Sequence, residues 1–150
     1  ETEINAGKMF TATSLFLYII FDTARQSETL FPDDIKDIVT HVHNTCVAKT
    51  GVSEDDINKC GEGVFSQDGK LGCYMYCLME EASFVNDDGT ADFDMFISVI
   101  PDEWNAKVAT MVNKCRHLDT PEKDRCAASM EVHQCFYNAD PDVSSVININ

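Results

Sequence analysis

From Ile35 to Tyr137 apolar residues return every three or four positions, the spacing of one buried face of an α-helix. Ile35, Ile38, Val39, Val42 and Cys46 define a first helix. Pro32, Asp33 and Asp34 suit its opening turn, and Gly51 stops it. Ser53 with Asp56 forms an imperfect capping box that starts a short helix to about residue 59. After a loop over residues 61–69, good helix formers fill residues 70–85. The turn NDDGT (86–90) leads to a helix over 91–100 that ends before Pro101. A helix over 102–117 carries Trp104, Val108, Met111, Val112 and Cys115 on one face. Thr120, Pro121 and Glu122 are expected to cap a last helix running to about Tyr137, after which residues 141–150 leave helix and end apolar. No stretch alternates at period two long enough for a strand, and no repeat is evident. The pattern predicts one all-α domain, in keeping with a length of 150 residues.

The cysteines add a second layer. Within CYMYCLMEE, Cys73 and Cys77 stand four residues apart on a helix, with Cβ atoms roughly 5–6 Å apart. A disulfide needs about 3.8 Å, so each should bond a different neighbour. Six cysteines (46, 73, 77, 115, 126 and 135) are spread over four predicted helices, and their spacing alone leaves fifteen pairings open. Each bridge that staples two helices contributes about 2–4 kcal/mol. Stapling of this kind allows a hollow core that would otherwise cost stability in proportion to its volume. Cys60 stands outside this ladder and is expected to be a free thiol, though a seventh cysteine could also scramble the bridges or join two chains as a homodimer.

So many cysteines point to an oxidising, extracellular compartment. Residues 9–21, MFTATSLFLYIIF, agree: ten of thirteen are apolar. As a helix this run spans about 20 Å, short of a membrane's ~30 Å core but the right length for the apolar part of a secretory signal. Residues 1–26 are therefore read as a signal-derived extension, and residues 27–150 as the folded domain with a tail over 141–150. The formal net charge of -15 disfavours nucleic acid and anionic lipid surfaces as partners.

Catalytic and metal chemistry find little support. There is no H-E-x-x-H, no G-x-S-x-G and no glycine-rich phosphate loop. His41, His43, His117 and His133 lack a tight C-x2-C partner for zinc. Aligning Gly89 with the invariant glycine of a calcium loop puts Phe84 and Met95 where acids are required. No cofactor, no metal and no enzymatic activity are expected. The surplus lies in apolar bulk: Phe93, Met95, Phe96, Ile97 and Ile100 crowd one short helix, more than a single stripe can bury.

The six-cysteine ladder, CYMYCLMEE, the continuation FVNDDGTADFDMF, the position of Pro101 and the ADPDV segment together resemble the insect odorant-binding proteins, above all their pheromone-binding and general odorant-binding members. The likeness covers about residues 30–147. It implies a six-helix bundle around an apolar cavity, secreted into the lymph of chemosensory hairs, with bridges Cys46–Cys77, Cys73–Cys126 and Cys115–Cys135. It also implies a ligand-binding set of Phe93, Phe96, Ile97, Ile100, Met111, His133 and Phe136, joined by Val146 and Ile147 from the tail. The tail, with Val143, Val146 and Ile147, would fold over the cavity mouth as a lid. Met75 and Met79 suit either a ligand wall or ordinary packing, and Trp104 would narrow the cavity.

The expected function is a secreted carrier that binds small hydrophobic odorants or pheromones reversibly and releases them on acidification. Its partners would be volatile ligands and a chemosensory receptor, with no membrane span. Two alternatives are a carrier of a non-olfactory hydrophobic ligand and a disulfide-rich signalling or defence protein acting through its surface.

Overall fold

A computed structural model describes the backbone of residues 36–147 and the side chains of residues 36–144. The expected signal-derived extension over 1–26 and the Pro32 turn lie outside the described residues. Seven α-helices follow in order: α1 (Lys36–Thr50), α2 (Glu54–Gly61), α3 (Lys70–Glu81), α4 (Phe93–Ser98), α5 (Asp102–Cys115), α6 (Arg125–Ala139) and α7 (Pro141–Ile147), with a 3-10 turn at Arg116–Leu118. Among the described residues no helix is long and apolar enough to cross a membrane.

Local chemistry sets the helix ends. Gly51 stops α1 at φ +66°, its N–H donating to the Val47 carbonyl. The Ser53 hydroxyl accepts from Asp56 N–H at 3.1 Å and so caps α2. Helix α3 ends four residues earlier than its apolar content suggests. Ser83 takes φ +60°, and Phe84 N–H returns to the Met79 carbonyl at 2.8 Å. Asp92 caps α4 through Met95 N–H at 2.9 Å, which starts that helix two residues after the expected point.

Two expectations fail for related reasons. Helix α6 starts at Arg125 rather than Thr120, because the Arg125 guanidinium donates to the carbonyls of Thr120 and Lys123. Those carbonyls are thereby held in a turn, and Asp124 provides the cap through Ala127 N–H at 2.9 Å. Residues 141–147 do not leave helix. Pro141 occupies the first position of α7, while the Asp140 carboxylate accepts from Val143 N–H at 3.1 Å. Among the described residues there are therefore seven helices where six were expected.

The three bridges are Cys46–Cys77, Cys73–Cys126 and Cys115–Cys135. Cys60 is free and buried. Burial raises its thiol pKa to about 11. The apolar interior falls into two cores. One is built on α1, α2 and α3 and holds Cys46, Ile57, Cys60, Leu71, Tyr74 and Met75. The other is built on α4 to α7 and holds Phe93, Ile100, Val108, Met111, Val132 and Phe136, together with Val143 from the tail. Helices α3 and α6 share the most extensive interface. Gly72 makes it possible: a Cβ there would come within 2.3 Å of the Cys126 carbonyl oxygen.

Candidate functional site

Between the two cores lies a cavity of about 530 Å³, within the range of small-molecule pockets. Its walls differ. On one side α1 and α3 contribute Val39, Val42, Met75, Leu78 and Met79, an aliphatic and thioether surface. On the other, Phe93 and Phe96 from α4 and Val132, His133 and Phe136 from α6 form a largely aromatic wall, to which Phe84 adds its ring.

The rings brace one another. Phe84 meets Phe96 edge to face at 5.9 Å between centroids, and Phe93 meets Phe136 likewise at 6.3 Å. His133 leans on Phe136 at 5.7 Å. Ile38 and Val99 also line the cavity but stay 63% and 48% exposed, which places them at its rim.

Four polar or charged side chains reach the lining: Glu81, Asp119, Ser129 and His133. Glu81 is paired with Lys49. Asp119 is fully engaged, one oxygen accepting from Ala91 N–H at 2.7 Å and the other from Arg125 at 3.1 Å. That same guanidinium donates to the Gly89 carbonyl at 3.2 Å, so the 86–91 loop, the 3-10 turn and the start of α6 share one polar anchor. His133 Nδ1 lies 2.9 Å from the Ser129 carbonyl oxygen. A carbonyl can only accept, so Nδ1 carries the proton. Desolvation lowers the His133 pKa from the ordinary 6.5, only partly offset by that hydrogen bond, which keeps the ring neutral.

Of the residues singled out in the sequence, Phe93, Phe96, His133 and Phe136 come together at the cavity, as do Met75 and Met79. Ile97, Ile100 and Met111 do not reach the lining. Ile100 and Met111 are only 4% and 1% exposed within the α4–α7 core, where Val108, Val112 and Cys115 surround them, and Ile97 packs against that core. A short helix can turn only one face to the cavity, and in α4 Phe93 and Phe96 occupy it. Trp104 likewise packs on the core, with Lys107 Nζ 5.4 Å from its ring centroid, and does not narrow the cavity. Val143 is 1% exposed in the core and does not line the cavity. The side chains of Val146 and Ile147 lie outside the described residues.

The pattern on α1 was open to sequence reading but pointed elsewhere. Ile38, Val39 and Val42 form a helical stripe that looks like core, and the stripe faces a cavity instead of a neighbouring helix. Phe84, just past α3, offered no periodic cue at all.

Comparison with known proteins bears on this arrangement. The family model described as the PBP/GOBP family matches residues 29–139. General odorant-binding protein 19d of Drosophila melanogaster is 23% identical over 108 residues, covering 68% of this chain and 71% of its own length. General odorant-binding protein 72 of Anopheles gambiae is 24% identical over 100 residues, or 64% of this chain and 82% of its own length. Among solved structures, odorant-binding protein 7 of Anopheles gambiae, which has four disulfide bridges and is in complex with an azo compound, is 27% identical with a TM-score of 0.66. It is matched over 80% of this chain and 99% of its own. Odorant-binding protein 1 of Locusta migratoria is 28% identical with a TM-score of 0.65, over 75% and 87% of the two chains. The helical bundle, its three bridges and these matches agree: the chain belongs to the PBP/GOBP family of insect odorant-binding proteins.

Proposed function

We propose that this protein is a secreted carrier that takes up small hydrophobic odorants or pheromones in the cavity between its two cores and gives them up on acidification. The observation that carries the reading is the cavity itself, whose lining is apolar except for four side chains. Such a space binds by desolvation. Ten buried methylenes contribute roughly 8 kcal/mol, about the free energy of micromolar binding before the ligand's lost freedom is subtracted. No ion pair with the ligand is needed. Phe93, Phe96, His133 and Phe136 are the contacts assigned to it, with Met75 and Met79 opposite. The Anopheles gambiae relative in complex with an azo compound supports a role in taking up a small organic ligand.

The test is fluorescence titration with N-phenylnaphthylamine at pH 8. The expected result is saturable binding at one site per chain and displacement by medium-chain volatiles. Absence of stoichiometric uptake would sink the carrier reading.

A further inference from the structure

We propose that Ser129 and His133 form a hydroxyl-recognising pair inside the cavity, so that its preferred ligands are medium-chain alcohols rather than ethers or hydrocarbons of the same length. The inference rests on the carrier reading above and narrows it to a ligand class. Both residues lie on the same face of α6, one turn apart, and both line the cavity.

Both side chains have hydrogen-bonding capacity that the protein leaves unused. His133 Nδ1–H is committed to the Ser129 carbonyl at 2.9 Å. In the neutral ring the other nitrogen, Nε2, is then a lone-pair acceptor and cannot donate. It has no partner among the described residues, and neither does the Ser129 hydroxyl. The remaining polar groups of the lining are occupied, Asp119 by Ala91 N–H and Arg125, and Glu81 by Lys49. The cavity therefore offers one free acceptor and one free hydroxyl beside apolar walls.

A ligand hydroxyl is the complement: it donates to Nε2 and accepts from Ser129 Oγ–H. An ether oxygen or a carbonyl can use Ser129 but leaves Nε2 unpaired. A carboxylate would turn oxygen lone pairs toward the Nε2 lone pair. Once a ligand fills the cavity and displaces its water, an unmet polar group is costly, so one missing hydrogen bond is read as selectivity. The Ser129 carbonyl acts as a positioning group, because it fixes the tautomer that makes Nε2 an acceptor.

Decanol and methyl nonyl ether are isomers and suit the test, since they share size and apolar area. Their affinities would be measured at pH 8 by displacement of N-phenylnaphthylamine from the wild type and from His133→Phe. The alcohol-to-ether affinity ratio should be about tenfold higher in the wild type, a net hydrogen bond's worth, and that excess should vanish in the variant. Should His133→Phe fail to fold, nitrogen NMR of the wild-type imidazole decides. Nε2 should start at a pyridine-like shift and move upfield when decanol binds but not when the ether binds. Equal ratios in both proteins, or an Nε2 shift indifferent to decanol, would overturn the proposal while leaving a carrier of another ligand class. Failure of both isomers to displace the probe would instead overturn the carrier reading itself.

Discussion

The two walls of the cavity are built on opposite principles. The α4–α6 wall is a set of rings that hold one another edge to face, backed by a core in which Val108, Val112 and Cys115 have no measurable exposure. The α1–α3 wall carries methionine, leucine and valine, side chains that adapt their shape at low cost. Each wall also has a bridge of its own: Cys115–Cys135 within the aromatic half and Cys46–Cys77 within the aliphatic half. Only Cys73–Cys126 crosses between them. The difference suggests a division of labour, in which one half fixes where a ligand sits and the other accommodates what remains of it.

The largest effect should come from the root of the aromatic wall. Phe136 is 4% exposed and belongs to both core and cavity. Phe136→Ala should destabilise the fold by about 3–5 kcal/mol in chemical denaturation and abolish probe binding. Loss of binding with an unchanged denaturation midpoint would show that the wall is not part of the core.

Next in size is the seam between the halves. Gly72→Ala drives a methyl group into the Cys126 carbonyl, a backbone atom that cannot swing aside. Helices α3 and α6 would have to separate, at about 2–3 kcal/mol. A melting temperature within a degree of the wild type would mean that the seam is looser than described.

Comparing single residues from the two walls sharpens the contrast. Phe96 is only half-buried, so Phe96→Ala should weaken binding of a long-chain ligand by about tenfold while changing stability by less than about 1 kcal/mol. On the facing wall, Met79→Leu conserves volume and should alter neither quantity by more than about 0.5 kcal/mol. Equal losses of affinity in the two variants would erase the distinction between a fixed and an adaptable wall.

The smallest effect is the dependence on pH. Because burial depresses the pKa of His133, an unfolded or opened state takes up a proton first as pH falls below 6.5. The contribution of neutral His133 to the closed, folded state is complete above that value and declines below it. Asp119 and Glu81 share the lining, but their ion pairs with Arg125 and Lys49 are separate from the imidazole. Affinity for the apolar probe should therefore fall between pH 7 and pH 5 in the wild type, and less steeply in His133→Phe. A parallel decline in both would assign acid release to other groups.

Much of this architecture was legible in the sequence, and the exceptions have physical causes. Periodicity located α1 and α5, helix-forming composition located α3, and the capping roles of Ser53 and Gly51 are local chemistry. The start of α6 was not legible, since what fixes it is a guanidinium reaching back to Thr120 and, 36 residues earlier in the chain, to Gly89. Asp140 and Pro141 carry the same cap-and-proline cue used elsewhere in the chain, and α7 could have been read from them. Of the residues named through the family resemblance, Phe93, Phe96, His133 and Phe136 line the cavity, whereas Ile100 and Met111, not separable from them in sequence, lie in the core. Their spacing is equally helical, and only the rotation of α4 and α5 decides which apolar side chain meets empty space.

The unpaired Cys60 has a consequence for how this protein ages. Thiol–disulfide exchange requires a thiolate, and with a pKa of about 11 only roughly one molecule in ten thousand carries one at neutral pH. Packed among Ile57, Leu71 and Tyr74, the sulfur is also out of reach of any oxidant or second chain. Each excursion that parts the aliphatic core removes both protections at once, in a core that also holds Cys46 and Cys77. The rate at which this single thiol becomes alkylated thus counts openings of one half of the molecule, and a population held for days under oxidising conditions would carry its unfolding history as mispaired bridges.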